Sequence, residues 1–446
     1  MTGTIFALAT APGRAAVAII RISGPEARAA LVALAGGSPK PGRARVRGLR
    51  AGDGALLDRA LVLFFAGPRS FTGEDCVELH LHGGGGVIDG VAEALLALGL
   101  RPAGPGEFTR RAFENGKLEL DQAEAVADLV DAETRAQARQ ALGQFEGRLG
   151  ARYNGWREAL IEALARLEAA VDFPDEEVPP DIAQKARAGL ERLAGDIDAA
   201  LADDARGRRV REGYRVAVIG APNAGKSSLI NWLSGREAAI VTHIPGTTRD
   251  IIEIPLIIDS FKVLLADTAG IRATEEAVEI EGVRRARAWA DGADLRLWVV
   301  DQSASGGDWK LASDLVRRDD VCVLNKADLP TGADRGGAAA IAAEVGARAI
   351  ATSMLKGKAA EVEAELSVRV RRDLSGGDFP AVTRSRHQAL LREARAHLGR
   401  ALEGLAEPEL AAEDARLAAR SLARISGRVD AEDILERVFA TFCIGK

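Results

Sequence analysis

Hydrophobic and polar positions alternate in short segments near the start of the chain. Segments 17–23 (VAIIRIS), 60–65 (ALVLFF) and 77–82 (VELHLH) are short, rich in apolar and β-branched residues and read as strands, the alternation running clean in 77–82, and 87–99 has helical spacing. On 75–82 the side chains of Cys76, Glu78, His80 and His82 share one face, and Val77, Leu79 and Leu81 share the other. From Leu118 the period changes. Residues 119–170 are rich in Ala, Leu, Glu and Arg with helical spacing, and Pro174, Pro179 and Pro180 end the run. Ile182, Ala186, Leu190, Leu193, Ile197 and Leu201 then mark one face of a second helix. From Arg215 to about 372 strands and helices alternate, as in a parallel α/β sheet. The tail, 383–446, is helical again, with Leu391, Leu398, Leu402 and Leu405 in a stripe.

This pattern predicts an α/β plus all-α protein. An N-terminal α/β domain occupies 1–118, and a discontinuous helical domain is split between 119–212 and 376–446. A P-loop α/β domain at 213–375 is inserted between the halves, because a tail of that length makes a weak core on its own. Two separate helical modules are the competing arrangement. At 446 residues, about three domains are expected.

Composition narrows the function classes. The net charge of −6 gives no bulk signal for nucleic acid, so any RNA contact needs a local basic patch. Cys76, Cys322 and Cys443 are far apart and form no disulfide framework, which points to a reducing compartment, the cytoplasm. No apolar run approaches the ~18 residues of a membrane span. The first residues lack the basic start of a signal peptide, and Arg14 interrupts their apolar stretch. The terminal Cys443-Ile444-Gly445-Lys446 is a poor prenylation box.

The chemistry concentrates between 220 and 328. An apolar strand runs into Gly220-Ala221-Pro222-Asn223-Ala224-Gly225-Lys226-Ser227, followed by Ser228 in a helix. Glycines let backbone N–H groups wrap phosphates, and a helix N-terminus adds a favourable dipole. Lys226 is expected to reach the β and γ oxygens, and the Ser227 hydroxyl to ligate Mg²⁺. Forty residues on, a strand ends in Asp267-Thr268-Ala269-Gly270; Asp267 would hold Mg²⁺ through water and Gly270 would sense the γ-phosphate. Between them lies Gly246-Thr247-Thr248-Arg249-Asp250, in which Thr248 is the candidate second Mg²⁺ hydroxyl and Thr247 its competitor. Strand VCVLN leads to Asn325-Lys326-Ala327-Asp328, where the Asp328 carboxylate can accept from guanine N1–H and the 2-amino group; adenine offers no such pair. Ser353, with Met354 and Leu355, is the candidate for the remaining guanine loop. In order and at this spacing, these motifs specify a Ras-like guanine-nucleotide hydrolase binding GTP and GDP.

Ras-like switches place a water-orienting Gln directly after DxxG. Here that position is Ile271, so hydrolysis needs another water-positioning group and another charge. Asn223 either ligates a monovalent cation beside the phosphates or hydrogen-bonds the loop backbone.

The whole chain resembles the MnmE (TrmE) family of tRNA modification GTPases. The resemblance rests on 4–14 (TIFALATAPGR), 20–24 (IRISG), 70–75 (SFTGED), 77–84 (VELHLHGG), 105–109 (PGEFT), 115–118 (NGKL) and the terminal 442–446 (FCIGK). It implies a tetrahydrofolate-binding, dimerising N-terminal domain with folate contacts from Arg21, Glu78, Lys117 and Lys446. It implies K⁺ ligation by Asn223, Thr242, Ile244 and Thr247, Mg²⁺ at Ser227 and Thr248, and nucleotide contacts along Thr242, His243, Ile244, Pro245 and Gly246. Glu279 is implied to position the attacking water. It further implies a homodimer and an MnmG-type flavoprotein partner that supplies FAD. The implied reaction adds an aminomethyl or carboxymethylaminomethyl group to C5 of the wobble uridine (U34) of certain tRNAs, using a 5-formyl or 5,10-methylene tetrahydrofolate. Met354 departs from the small residue usual in the guanine loop, Pro245 stiffens the K⁺ loop, and Gly83–Gly86 extends the usual pair of glycines.

Three plainer readings stand beside these. Cys76, His80 and His82 have spacing compatible with zinc, but no further ligand cluster lies near, and a ligand-lined polar face is preferred. Trp156, Trp232, Trp289 and Trp298 sit in apolar patterning and are expected to pack. Cys443 is either a reactive thiol or a small residue shaping the folate site. The competing function is a regulatory GTPase that binds an RNA or ribosomal partner without catalysing modification; folate binding separates the two.

Overall fold

A computed structural model describes residues 3–172, 182–236, 253–267, 277–304, 310, 312–330, 336–354, 359–376, 379–429 and 432–445. The chain divides into two compact units. One holds Met1–Asp131, Ala141–Asp198 and Ala389–Lys446; the other holds Ala132–Gln140 and Ala199–Gln388.

The first unit contains a six-stranded sheet of β1 (Ile5–Leu8), β2 (Ala15–Ser23), β3 (Arg45–Arg50), β4 (Leu56–Phe65), β5 (Cys76–Gly83) and β6 (Arg101–Pro102), in the order β3-β4-β5-β2-β1-β6. All neighbours are antiparallel except β1 and β6. Period-two alternation separates its faces. Phe6, Ile20, Ile22, Val62, Phe64, Val77, Leu79 and Leu81 pack against α1 (Ala27–Ala35) and α2 (Gly85–Ala97). Ile5 and Ala7 face the other way, with Ala103, Phe108 and Phe71. That second face carries Arg21 and Glu78.

Most of the helices belong to this unit, whereas residues 135–140 of the fifth helix, 199–202 of the seventh, the whole of the eighth and 385–388 of the thirteenth belong to the second. After α3 (Glu107–Glu114) comes α4 (Leu120–Val130), started by a reciprocal capping box between Glu119 and Gln122. The helical run expected over 119–170 is interrupted twice: α5 (Arg135–Phe145) and α6 (Arg148–Asp172) follow as separate helices. After the first break, α5 starts on a side-chain cap. Gln137 accepts from the Glu133 and Thr134 amides at 3.0 Å each, satisfying the donors that a helix start leaves free. Beyond α7 (Ile182–Ala202), α8 (Asp204–Glu212) and the inserted α/β block, α13 (Ser385–Glu403), α14 (Pro408–Ile425) and α15 (Glu432–Ala440) close the chain. Within this unit α14 packs along α6, with Arg416 paired to Glu168 at 2.8 Å. Leu435, Phe439 and Phe442 from the tail pack with Leu120, Ala123 and Ala127 of α4.

The second unit is built on β7 (Tyr214–Ile219), β8 (Glu253–Ile258), β9 (Phe261–Asp267), β10 (Leu295–Asp301), β11 (Val321–Asn325) and β12 (Arg348–Ala351), in the order β12-β11-β10-β7-β9-β8. Only β8 is antiparallel to its neighbour. Both faces are covered, as parallel sheets require. Val216, Val218, Leu297 and Val299 meet α9 (Lys226–Arg236) and α12 (Ala360–Leu374). Ala217, Ile219, Trp298 and Val300 meet α10 (Ala277–Asp291) and α11 (Gly337–Val345). Burial of Leu229, Ile230 and Leu233 holds α9 in place, at roughly 1.5–3 kcal/mol per side chain. Trp156, Trp289 and Trp298 are buried and Trp232 packs against the core. No described helix is long and apolar enough to cross a membrane.

Candidate functional site

The second sheet brings the sequence motifs to one edge, the carboxyl ends of its parallel strands, where open α/β sheets bind ligands. β7 ends at Ile219 and the loop 220–225 turns directly into α9 at Lys226. Gly225 adopts φ +105°, and a Cβ there would lie 2.1 Å from Asn325 Nδ2, so only glycine fits. Asn223 stands at φ +60° and is exposed, with Ala224 buried behind it. Lys226 is buried and its Nζ donates to the carbonyls of Gly220 (3.0 Å) and Ala221 (2.8 Å). Ser227 and Ser228 are exposed on the first turn of α9.

Asp267, the last residue of β9, pairs in register with Val218 on β7. Ser227 Oγ donates to its Oδ2 at 3.3 Å, and its buried Oδ1 has no hydrogen-bond partner among the described residues. A hydroxyl beside a carboxylate with one unsatisfied buried oxygen fits a hard divalent cation.

β11 ends in Asn325, which ties three loops together. Its Nδ2 donates to Ala224 O at 2.8 Å, and its Oδ1 accepts from Met354 N at 3.2 Å. Lys326 takes φ +60° and its Nζ contacts Asp301 Oδ2 at 2.5 Å. Ala327 N donates to Thr352 O at 3.0 Å, and Asp328 is exposed beyond it. Ser353 is buried, and its Oγ has no partner among the described residues. Thus the structure assembles Asn223 to Ser228, Asp267, Asn325 to Asp328, Ser353 and Met354 around one sheet edge. Thr242, His243, Ile244, Pro245, Gly246, Thr247, Thr248, Thr268, Ala269, Gly270 and Leu355 lie outside the described residues. Glu279 belongs to α10, but its side chain is also outside them.

Asp301 was not legible as a site residue. It ends β10 opposite Asn325 in register, and accepts from Ser303 N (2.9 Å) and Ser303 Oγ (2.6 Å) besides Lys326. Burial opposes ionisation, but Lys326 and Ser303 outweigh it and hold the Asp301 carboxyl below its ordinary range. A lone Asp after an apolar strand carries no motif; only the register reveals it.

In the first unit, Arg21 and Glu78 are register partners on β2 and β5, joined at 3.0 Å, with Ala7 of β1 opposite Arg21 on the other side. The Arg21 guanidinium lies 5.7 Å from the Phe71 ring centre and 5.9 Å from that of Phe108. His80 contacts Glu78 at 3.4 Å and His82 contacts Asp58 at 2.7 Å, so each histidine has a carboxylate rather than a shared metal geometry. Lys117 Nζ donates to Pro68 O at 3.0 Å, and nothing described joins it to Arg21 or Glu78. The carboxyl terminus runs alongside this sheet. Ile444 forms a bridge with Pro105, and Gly445, at φ +98°, packs so closely that a Cβ would lie 2.3 Å from Leu8 O. Cys443 is exposed, and its carbonyl accepts from Gly106 N. Lys446 itself is outside the described residues.

Strand order, the glycine-turned loop before α9 and the Asn325 hub define a P-loop G domain. Comparison with known proteins gives the particular family. Residues 4–117 match the model described as GTP-binding protein TrmE N-terminus, and 120–443 match the MnmE helical domain. The tRNA modification GTPase MnmE of Phenylobacterium zucineum is 58% identical over 447 residues, covering 100% of both chains. The proteins of the same name from Caulobacter vibrioides and Parvibaculum lavamentivorans are 56% and 51% identical, each covering at least 99% of this chain and 100% of its own. The chain belongs to the MnmE (TrmE) family of tRNA modification GTPases.

Proposed function

We propose that this chain is a GTP hydrolase that modifies the wobble uridine of certain tRNAs. In this reading it works as a homodimer with an MnmG-type flavoprotein carrying FAD. Together they place an aminomethyl or carboxymethylaminomethyl group on C5 of U34, with one carbon drawn from a tetrahydrofolate derivative. The domains divide at 1–118, 119–212, 213–375 and 376–446, and the setting is the cytoplasm. The observation that carries the reading is the pairing of a built phosphate loop, locked by Asn325, with end-to-end similarity to proteins named for tRNA modification. That full-length match includes the N-terminal block, which a purely regulatory GTPase would not require.

The proposal gives each residue a task. Lys226 would exchange loop carbonyls for phosphate oxygens, a stronger charge-assisted contact. Ser227 and Asp267, with Thr248, would hold Mg²⁺, which neutralises phosphate charge when bound. Asp328 would accept from the guanine edge, beside the Ser353 loop. Asn223, with Thr242, Ile244 and Thr247, would hold K⁺, which supplies positive charge where Ras-like systems use an arginine. Glu279 would orient the water that Ile271 cannot. Arg21 and Glu78 suit the two ends of a folate: a carboxylate accepts from pterin donors and a guanidinium receives carboxylates. Lys117 and Lys446 would complete that site.

Single-turnover GTP hydrolysis in matched KCl and NaCl tests the reading. The rate should rise with K⁺, Asn223→Ala should abolish that response, and Glu279→Ala should slow turnover by about 10²-fold while sparing nucleotide binding. A rate indifferent to the cation, or a near-normal Glu279→Ala, contradicts it.

A further inference from the structure

We infer that Asp301 is a positioning residue for base recognition: it anchors Lys326 and thereby fixes the loop that presents Asp328. This inference rests on the guanine-nucleotide reading above. Lys326 sits between Asn325, which is locked to the phosphate loop, and Asp328, two residues further on. Its φ of +60° is a conformation that non-glycine residues adopt only when surrounding contacts impose it. Around it, the backbone bonds Ala327 N to Thr352 O and Leu329 N to Lys326 O, at 3.0 Å each, close the turn, and the ion pair from Lys326 Nζ to Asp301 Oδ2, at 2.5 Å, ties its side chain to the neighbouring strand.

Asp301 is itself held firmly. It is the register partner of Asn325 across β10 and β11, so both anchors of the loop leave the sheet at the same level. Its other oxygen accepts from the Ser303 amide and hydroxyl at 2.9 and 2.6 Å, which fixes the rotamer. The next residue adds two more ties to the same strand end. Gln302 N donates to Asn325 O at 3.1 Å, and Gln302 Nε2 donates to Leu324 O at 2.9 Å. The 301–303 turn therefore grips 324–326 through side chain and backbone. Both ion-pair partners are partly shielded, at 30% and 18% side-chain exposure, so the pair is less screened than a surface contact. Asp301 acts on the base through Lys326 and not by contact with the nucleotide.

The consequence is specific to the base. A loosened 326–328 loop weakens the paired acceptor contact from Asp328 more than it weakens phosphate binding. A guanine has a 2-amino group for that acceptor and hypoxanthine does not. Asp301→Asn keeps the shape and an acceptor for Ser303 but removes the charge. The test is calorimetric titration of the full-length chain with GDP and IDP, using wild type, Asp301→Asn, Lys326→Met and the double variant. Asp301→Asn should weaken GDP about 10-fold and IDP by less than about 3-fold, narrowing the GDP-to-IDP preference. In the Lys326→Met background the same change should add less than about 2-fold. Asp301→Glu should recover part of the preference.

Two results overturn the inference: an unchanged GDP-to-IDP ratio in Asp301→Asn, or an equal loss with and without Lys326. Melting temperature, followed in parallel, identifies a variant that has merely lost stability; in that case Asp301→Glu decides, since no recovery of preference counts against the inference. Wild type that binds no guanine nucleotide overturns the underlying function as well.

Discussion

Asn325 Nδ2 donates to the Ala224 carbonyl at 2.8 Å, so the end of β11 is fastened to the phosphate loop across 101 residues of chain. The same side chain accepts from Met354 N, making one amide the common anchor of three loops. Both of its contacts are to backbone, so the position depends on geometry that neighbours can disturb.

Gly225→Ala should be the most damaging small substitution in this unit. Its Cβ would meet Asn325 Nδ2 at 2.1 Å, and φ of +105° is strained for any side chain. Displacing Asn325 frees the buried Ala224 carbonyl, at about 1–3 kcal/mol for an unsatisfied group. We expect GDP affinity to fall by about 100-fold or more with far-UV circular dichroism preserved. Calorimetry that finds near-normal GDP binding would show the lock to be dispensable.

The tail offers a second test. Ile444 and Gly445 pack on Pro105 and Leu8, one strand position from Ala7, which faces Arg21. Deleting 443–446 should weaken binding of 5-formyltetrahydrofolate while leaving GTP affinity intact. Arg21→Ala should do the same, because it leaves Glu78 without its guanidinium. Equal folate affinity in wild type and truncated protein would remove the tail from the site.

Glu107 supplies a pH dependence of stability. Burial opposes its ionisation, but Arg101, the Gly104 amide and Arg111 outweigh that and hold its carboxyl at about 2, against an ordinary 4.5. A depressed folded-state pKa stabilises the protein above the unfolded value, and the contribution is lost as pH falls from about 4.5 towards 2. Glu107→Gln should therefore lower the Tm at neutral pH, and its deficit relative to wild type should shrink across that window. Melting curves with a constant deficit from pH 7 to pH 2 would contradict this.

Local patterning carried much of this architecture. β5 was readable because one face is buried and the other is not, which writes a period of two into 77–82, and β2 and β4 were readable as short runs rich in Val, Ile, Leu and Phe. The nucleotide motifs were readable because each lies within a few residues of one strand end. The break between α4 and α5 was hidden by Ala and Leu, which keep their helical spacing through it, although Thr134 and Gln137, three residues apart, carry the reciprocal cap that starts α5. Arg21 and Glu78 are 57 residues apart and were paired only through the family resemblance; the register of β2 on β5 sets them opposite each other. Asp301 escaped notice because its importance comes from a partner on the adjacent strand.

GTP hydrolysis by this chain is proposed to serve wobble-uridine modification. Mass spectrometry of tRNA nucleosides tests it most directly, in a strain lacking the gene and in the same strain carrying wild type or Gly225→Ala. The expected result is loss of the aminomethyl-type wobble uridine in the deletion strain, its return with wild type, and no return with Gly225→Ala expressed at equal level. Undiminished modification in the deletion strain, or full rescue by Gly225→Ala, would contradict it.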